Sequence, residues 1–180
     1  MAGVNAKLRQ GKDRLDLALI TSTKPCVVSG VFTQNTMRAP PVILSERLIL
    51  ESRQGEQKGG QPGKGIQAVV INSGCANACT GEEGMANSRR MVEAVQLETG
   101  LGSLVMSTGV IGLNLPMPAI SRGITAAATN LREGEEAWSN VAEAIMTTDT
   151  YPKLVTTQCS VGGKKVTFTG IAKGSGMVIN

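Results

Sequence analysis

The sequence predicts a layered α/β fold: a largely antiparallel mixed sheet with helices on its faces. Three observations predict it. Short apolar runs of strand character alternate with longer runs in which apolar residues recur every three or four positions. Gly162-Gly163 separates two runs rich in β-branched residues, a strong hairpin signal. The 180 residues are 41% apolar but 2% aromatic, so the core is assembled from Val, Ile, Leu, Met and Ala. Residues 1–180 read as one domain, since a chain of this length supports one core or at most two small ones.

The elements follow in order. Leu15, Leu17 and Leu19 alternate with Asp16 and Ala18 up to Ile20, the pattern of a half-buried strand. Cys26 to Phe32 reads as a second strand, turned back antiparallel through Thr23-Lys24-Pro25. Ser45 to Glu51 reads as a short helix. Residues 52–65, rich in Gly, Gln and Lys, read as a flexible surface loop. Gly65 to Asn72 is a mostly apolar strand leading into the small-residue run Ser73 to Gly81. A helix from Glu83 to Thr99 stops at Gly100. Leu104-Val105-Met106 is a buried strand. Pro116 precedes a helix carrying Met117, Ile120, Ile124, Ala128 and Leu131 on one face. A further helix runs from near Glu135 to Ile145, with Trp138, Val141 or Ala142, and Ile145 as its apolar stripe. Leu154–Val161 and Lys164–Gly170 form the closing hairpin.

Composition excludes several classes of function. No apolar run approaches the roughly 18 residues of a membrane span. The net charge of +4 comes without the dense basic stripe and aromatic platforms that nucleic acid requires. The start, Met1-Ala2-Gly3-Val4-Asn5, resembles neither a signal peptide nor a transit peptide. Four cysteines and no histidine make a poor zinc set, because Cys75 and Cys79 stand alone as a close pair. No metal is expected, and the thiols are expected to be free and buried. Without histidine, neither Ser-His-Asp nor Cys-His catalysis is available, which also disfavours Cys75 as a nucleophile. An N-terminal amine is one of the few remaining ways to activate a nucleophile.

Four segments can carry chemistry. Asn72-Ser73-Gly74-Cys75-Ala76-Asn77-Ala78-Cys79-Thr80-Gly81 follows a buried strand with small side chains only. It is either a tight strand-to-helix connection or a place where main-chain N–H groups approach a ligand. In Ser107-Thr108-Gly109 a hydroxyl stands beside an unhindered glycine N–H. That pair can face one oxygen on which negative charge develops, or can be an ordinary turn. Met146-Thr147-Thr148-Asp149-Thr150-Tyr151-Pro152-Lys153 places hydroxyls and a carboxylate at a helix end, either for an amino-acid substrate or for solvent. Lys173-Gly174-Ser175-Gly176-Met177 offers an ammonium between a strand and two glycines. It lacks the glycine spacing and the hydroxyl directly after Lys of a phosphate-binding Walker loop.

In this order, the four segments resemble the ornithine acetyltransferase family, the ArgJ-type bifunctional glutamate N-acetyltransferases. Gly3-Val4-Asn5-Ala6, Asp16-Leu17-Ala18-Leu19-Ile20 and Gly30-Val31-Phe32-Thr33-Gln34-Asn35 extend the resemblance, which covers residues 3–177. It implies the DmpA/ArgJ-like architecture related to N-terminal-nucleophile hydrolases, and a precursor that cuts itself at an Ala–Thr bond. The freed Thr heads a β chain and takes acetyl from N-acetylornithine before passing it to glutamate, in arginine biosynthesis. This chain would be the α chain, associated with the β chain as α2β2. Acetyl-CoA is an alternative donor in some members, and no other cofactor is implied.

By the same resemblance, Thr108 and Gly109 match the oxyanion-stabilising pair, and Thr147 and Lys173 match substrate-contacting residues. The nucleophile would fall shortly after Lys173, beyond Asn180, so none is expected in this chain. The implied location is the mitochondrial matrix in a eukaryote, which Asn72-Ser73-Gly74-Cys75 favours, and the cytoplasm in a bacterium. Two other readings stay open: a self-processing amidohydrolase or aminopeptidase of similar architecture, in which water accepts the acyl group, and a non-catalytic fragment.

Overall fold

The computed structural model describes residues 1–9, 13–57 and 65–174. Its elements are β1 (Ala2–Val4), β2 (Leu17–Thr21), α1 (Pro40–Gln57), β3 (Ile66–Cys75), α2 (Gly81–Thr99), β4 (Gly102–Val110), α3 (Met117–Thr129), α4 (Glu135–Ala144), β5 (Lys153–Val161) and β6 (Lys164–Ala172). The first four strands form one sheet in the order β1-β2-β3-β4, and β5 and β6 form a separate hairpin. The β1–β2 and β2–β3 pairs are antiparallel, whereas β3 and β4 run parallel. A parallel pair needs a crossover, and α2 supplies it.

Strand alternation divides the sheet into two faces. Leu17, Leu19, Ala68, Val70 and Val105 point into a cluster with Leu44 of α1, Met91 and Val95 of α2, and Ile120, Ile124 and Ala127 of α3. Ala18 and Ile71 point the other way, onto Val141 and Ala144 of α4 and Ile145. Three helices therefore cover one face and one helix covers the other. The cover thins toward β4, where Met106 is 53% exposed.

Helix boundaries follow local chemistry. Pro40 and Pro41 open α1, where a missing N–H costs nothing. The acidic residues Glu82 and Glu83 in the first turn of α2 complement the helix dipole. Gly100 ends that helix in the left-handed conformation, at φ 73°, with its N–H donated to the Gln96 carbonyl. At the close crossing of α3 over the N-terminal segment, a Cβ on Gly123 would lie 2.6 Å from the Ala6 Cβ.

Several expectations are corrected. Cys26 to Phe32 is not a strand. Both edges of β2 are already taken, by β1 and β3, so no hairpin partner can add there. The segment runs instead as irregular chain, tied by the Cys26 thiol to the Ile66 carbonyl at 3.3 Å and leaving Val27 and Val31 exposed. The helix expected at Ser45 to Glu51 starts at Pro40 and continues to Gln57, so the first part of the loop expected over residues 52–65 is helical; residues 58–64 lie outside the described residues. The three-residue β1 was too short to register in the sequence pattern. In α4 the buried positions are Ala137, Val141, Ala142 and Ala144, with Trp138 only partly covered. Of the cysteines, Cys75 is buried and Cys26 partly so, while Cys79 and Cys159 are exposed.

Candidate functional site

The candidate site lies at the carboxyl end of the parallel pair β3–β4, where open α/β sheets commonly place ligands. Ser73 pairs with Thr108 and Gly74 with Gly109, and the register shifts at Cys75, which faces both Thr108 and Val110. The two glycines allow this approach. Gly109 sits at φ 133°, and a Cβ on it would lie 2.6 Å from the Cys75 nitrogen and from the Gly74 carbonyl oxygen. Beyond the bulge, Ala76 N–H bonds to the Val110 carbonyl and Gly112 N–H to the Ala78 carbonyl, both at 2.9 Å.

Thr108 is half-buried at the open end of β4. Lys173, leaving β6, donates its ammonium to the Thr108 hydroxyl oxygen at 2.8 Å. The two residues are 65 positions apart, and the fold makes them partners. A threonine hydroxyl that accepts from an ammonium keeps its own proton free to donate to a third group.

Thr147 follows α4, and its main-chain N–H donates to Asp149 Oδ2 at 2.9 Å. Asp149 Oδ1 accepts from the Lys153 ammonium and from the Gly174 main-chain N–H, each at 2.8 Å. The Asp149 side chain is fully enclosed. The Lys153 ammonium, followed by the Thr147 and Gly174 N–H groups, holds its carboxyl well below the usual carboxylate range, against the opposing effect of burial. Lys153 also stacks over the Tyr151 ring at 4.7 Å. The chain from Thr147 to Asp149 to Gly174 thus joins the end of α4 to the residue beside Lys173.

The sequence-derived segments converge unequally. Thr108 and Lys173 meet directly. Gly109 adjoins Thr108, and Thr147 joins the group through Asp149. The run Asn72 to Gly81 forms the end of β3 and the connection to α2. Asn77 is buried, donating to the Gly84 carbonyl and to Ser88 Oγ at 2.9 Å, while Thr80 donates to Asn77 Oδ1 at 2.8 Å. Ser175-Gly176-Met177 lies outside the described residues. In the Met146–Lys153 segment, the Asp149 carboxylate is taken up by the Lys153 ammonium and by two main-chain N–H groups of its own chain.

Arg9 escaped notice in the sequence. Its guanidinium donates to the Met146 carbonyl, and its stem lies where a Cβ on Gly74 would come within 2.9 Å. Burial, with Arg14 nearby, lowers its pKa from the ordinary value. No local signal distinguishes it, since it sits in an irregular N-terminal segment. Ser73 was masked as one small residue among many, yet its hydroxyl donates to the Ala144 carbonyl at 2.6 Å and pins β3 to α4. Among the described residues, no three His, Cys, Asp or Glu side chains gather as a metal site, and no helix is long and apolar enough to cross a membrane.

Comparison with known proteins places this geometry in a family. The chain is 43% identical over 180 residues to the arginine biosynthesis bifunctional protein ArgJ of Thermotoga neapolitana, covering 98% of this chain and 42% of that protein. It is 41% identical over 183 residues to the mitochondrial protein of the same name from Yarrowia lipolytica, covering 99% and 40%. It therefore spans about two fifths of the length of these curated relatives. Among solved structures, the ArgJ protein of Bacillus halodurans superposes with a TM-score of 0.82 at 35% identity, over 98% of this chain and 86% of that one. An ornithine acetyltransferase from Mycobacterium tuberculosis, solved with ornithine, gives a TM-score of 0.82 at 34% identity, over 99% and 89%. The sequence model of the ArgJ family matches residues 1–180, and the chain belongs to that family.

Proposed function

We propose that this chain is the α chain of an acetyltransferase of arginine biosynthesis. The enzyme moves acetyl from N-acetylornithine to glutamate, giving ornithine and N-acetylglutamate. The observation that carries the reading is the Lys173–Thr108 contact at the end of β4, in a chain of the ArgJ family.

A threonine at the head of a second chain supplies the nucleophile. Its own α-amine, with a reference pKa of roughly 7.7–8.0, takes the hydroxyl proton near neutral pH without a histidine. The hydroxyl oxygen attacks the acetyl carbon, and the carbonyl oxygen gains the negative charge. The Thr108 O–H and the Gly109 N–H stabilise that oxygen. Lys173, donating to Thr108, polarises the hydroxyl and strengthens its donation. The carbon–nitrogen bond then breaks, and ornithine leaves with the proton returned to its amine. Glutamate attacks the acetyl-threonine ester, forms its amide and restores the hydroxyl. Thr147 and Lys173 contact the amino-acid portion of the substrates.

Two observations support a second chain. This chain fills 86% of a solved relative's chain but 42% of a curated relative's sequence, so the solved chain is roughly half as long as the curated one. The β5–β6 hairpin is exposed along nearly its whole length, with Val155 69% and Phe168 52% accessible, as expected of a surface that another chain covers. The assembly is α2β2, and the enzyme resides in the mitochondrial matrix of a eukaryote or the cytoplasm of a bacterium.

Incubation of the assembled protein with N-acetylornithine and glutamate tests the reading, and N-acetylglutamate with ornithine is the expected product pair. Free acetate without N-acetylglutamate would sink the transferase reading in favour of an amidohydrolase. The same assay with acetyl-CoA in place of N-acetylornithine establishes whether it serves as a donor.

A further inference from the structure

Lys173 has little of its own to hold it in place. It is exposed, and the hairpin it leaves packs on the body of the molecule mainly at its foot, where Ile171 meets the cluster around Val141 and Ile145. A lysine on a four-carbon stem that reaches Thr108 only by a 2.8 Å bond gives up much rotamer freedom to stay there. Something must fix the main chain beside it.

Asp149 is suited to that task. It lies 8% exposed, its side chain fully enclosed, and its two oxygens accept from three donors on three separate stretches of chain: Thr147 after α4, Lys153 at the start of β5, and Gly174 after β6. A carboxylate enclosed in this way, satisfied by charged and main-chain donors, fixes their relative positions. The Gly174 end is equally particular. Gly174 sits at φ 129°, where L side chains are strained, while among the described residues nothing lies within 4 Å of where its Cβ would be. Its glycine identity therefore serves the backbone turn that carries its N–H to Asp149.

We propose that Asp149 is the positioning residue of this site, gripping the Thr147 and Gly174 main chains so that Lys173 stands against Thr108. The proposal rests on the acetyl-transfer reading for its kinetic consequence and on geometry alone for the grip. Asp149 acts through Lys173, and this sets it apart from a residue that merely stabilises the fold.

The test is a double-mutant cycle in the assembled two-chain protein, comparing Asp149→Asn, Lys173→Ala and the pair. Asp149→Asn is expected to lower kcat about tenfold or more, as misplacement of a catalytic group does. In the Lys173→Ala background the same change is expected to cost little further, because the residue it positions is gone. Losses that multiply across the pair, or Asp149→Asn kinetics equal to wild type, overturn the proposal. Should Asp149→Asn fail to fold, Gly174→Ala replaces it in the same cycle with the same expectations. Amide exchange at Thr147 and Gly174 separates this proposal from the functional reading. If the wild type transfers no acetyl, faster exchange at those two amides in Asp149→Asn, with Val70 unchanged, still upholds the grip; unchanged exchange at both overturns it.

Discussion

A threonine hydroxyl has one proton to give, and at Thr108 the Lys173 ammonium occupies a lone pair and leaves that proton free. Thr108→Ala removes both the donor and the acceptor for Lys173, and under the proposed acetyl transfer kcat is expected to fall by about 10²–10³ in steady-state assays. Gly109 is a poorer kinetic probe. An alanine there combines a strained φ with a Cβ pressed onto the Gly74–Cys75 backbone, so Gly109→Ala is expected to lose about 3 kcal/mol of stability in denaturant unfolding. Asp149 makes a third prediction. A carboxyl held below its usual range stabilises the fold fully above that range, and the benefit disappears as pH falls through the lowered value. Unfolding free energy is therefore expected to drop more steeply below about pH 4 in the wild type than in Asp149→Asn. At this scale the sequence showed which residue types matter but not how they meet. Thr108 and Lys173 were legible only as members of an ordered set of segments. Asp149 stood among hydroxyls in a polar run, and nothing local says that its carboxylate turns inward to the main chain.

Elements were legible where a local signal was strong. The Gly100 stop of α2, the Gly162-Gly163 turn and the period of α3 each express chemistry confined to a few neighbours. Cys26 to Phe32 failed because strand character depends on a free edge, and β1, too short to show a pattern, had taken it. The start of α1 was also missed, since Ala39-Pro40-Pro41 reads as a break until the prolines are placed in a first turn. A less visible link joins α1 to β4. The buried Ser45 hydroxyl donates to the Val105 carbonyl at 2.7 Å and accepts from the Val105 N–H at 3.1 Å, closing the outer side of β4 at that residue. Ser45→Ala leaves both main-chain groups unpaired, and a stability loss of about 2 kcal/mol is expected by denaturant titration.

On the scale of the whole molecule, the alternation of strands and helices is enough to predict a layered α/β fold. It does not predict unequal layers. Three helices bury one face of the sheet, and α4 alone lies on the other, over β1 and β2, which leaves that face of β4 less covered. The sequence could not show this imbalance, because each helix has an ordinary apolar stripe and the pattern does not record which side of the sheet a helix takes. Nor could it show that β5 and β6 stand apart from the main sheet.

The hairpin has a consequence for how this chain behaves in a cell. Among the described residues each of its two nine-residue strands has a neighbour on one side only, so both outer rows of main-chain donors and acceptors are open. Such a ribbon, with Phe168 and Val155 outward, is a template for adding strands from any nearby chain, including copies of itself. Freshly made chains are therefore open to self-association, and crowding by identical copies favours it. Light scattering of this chain expressed alone is expected to rise with concentration, and co-expression with the second chain proposed above is expected to abolish the rise.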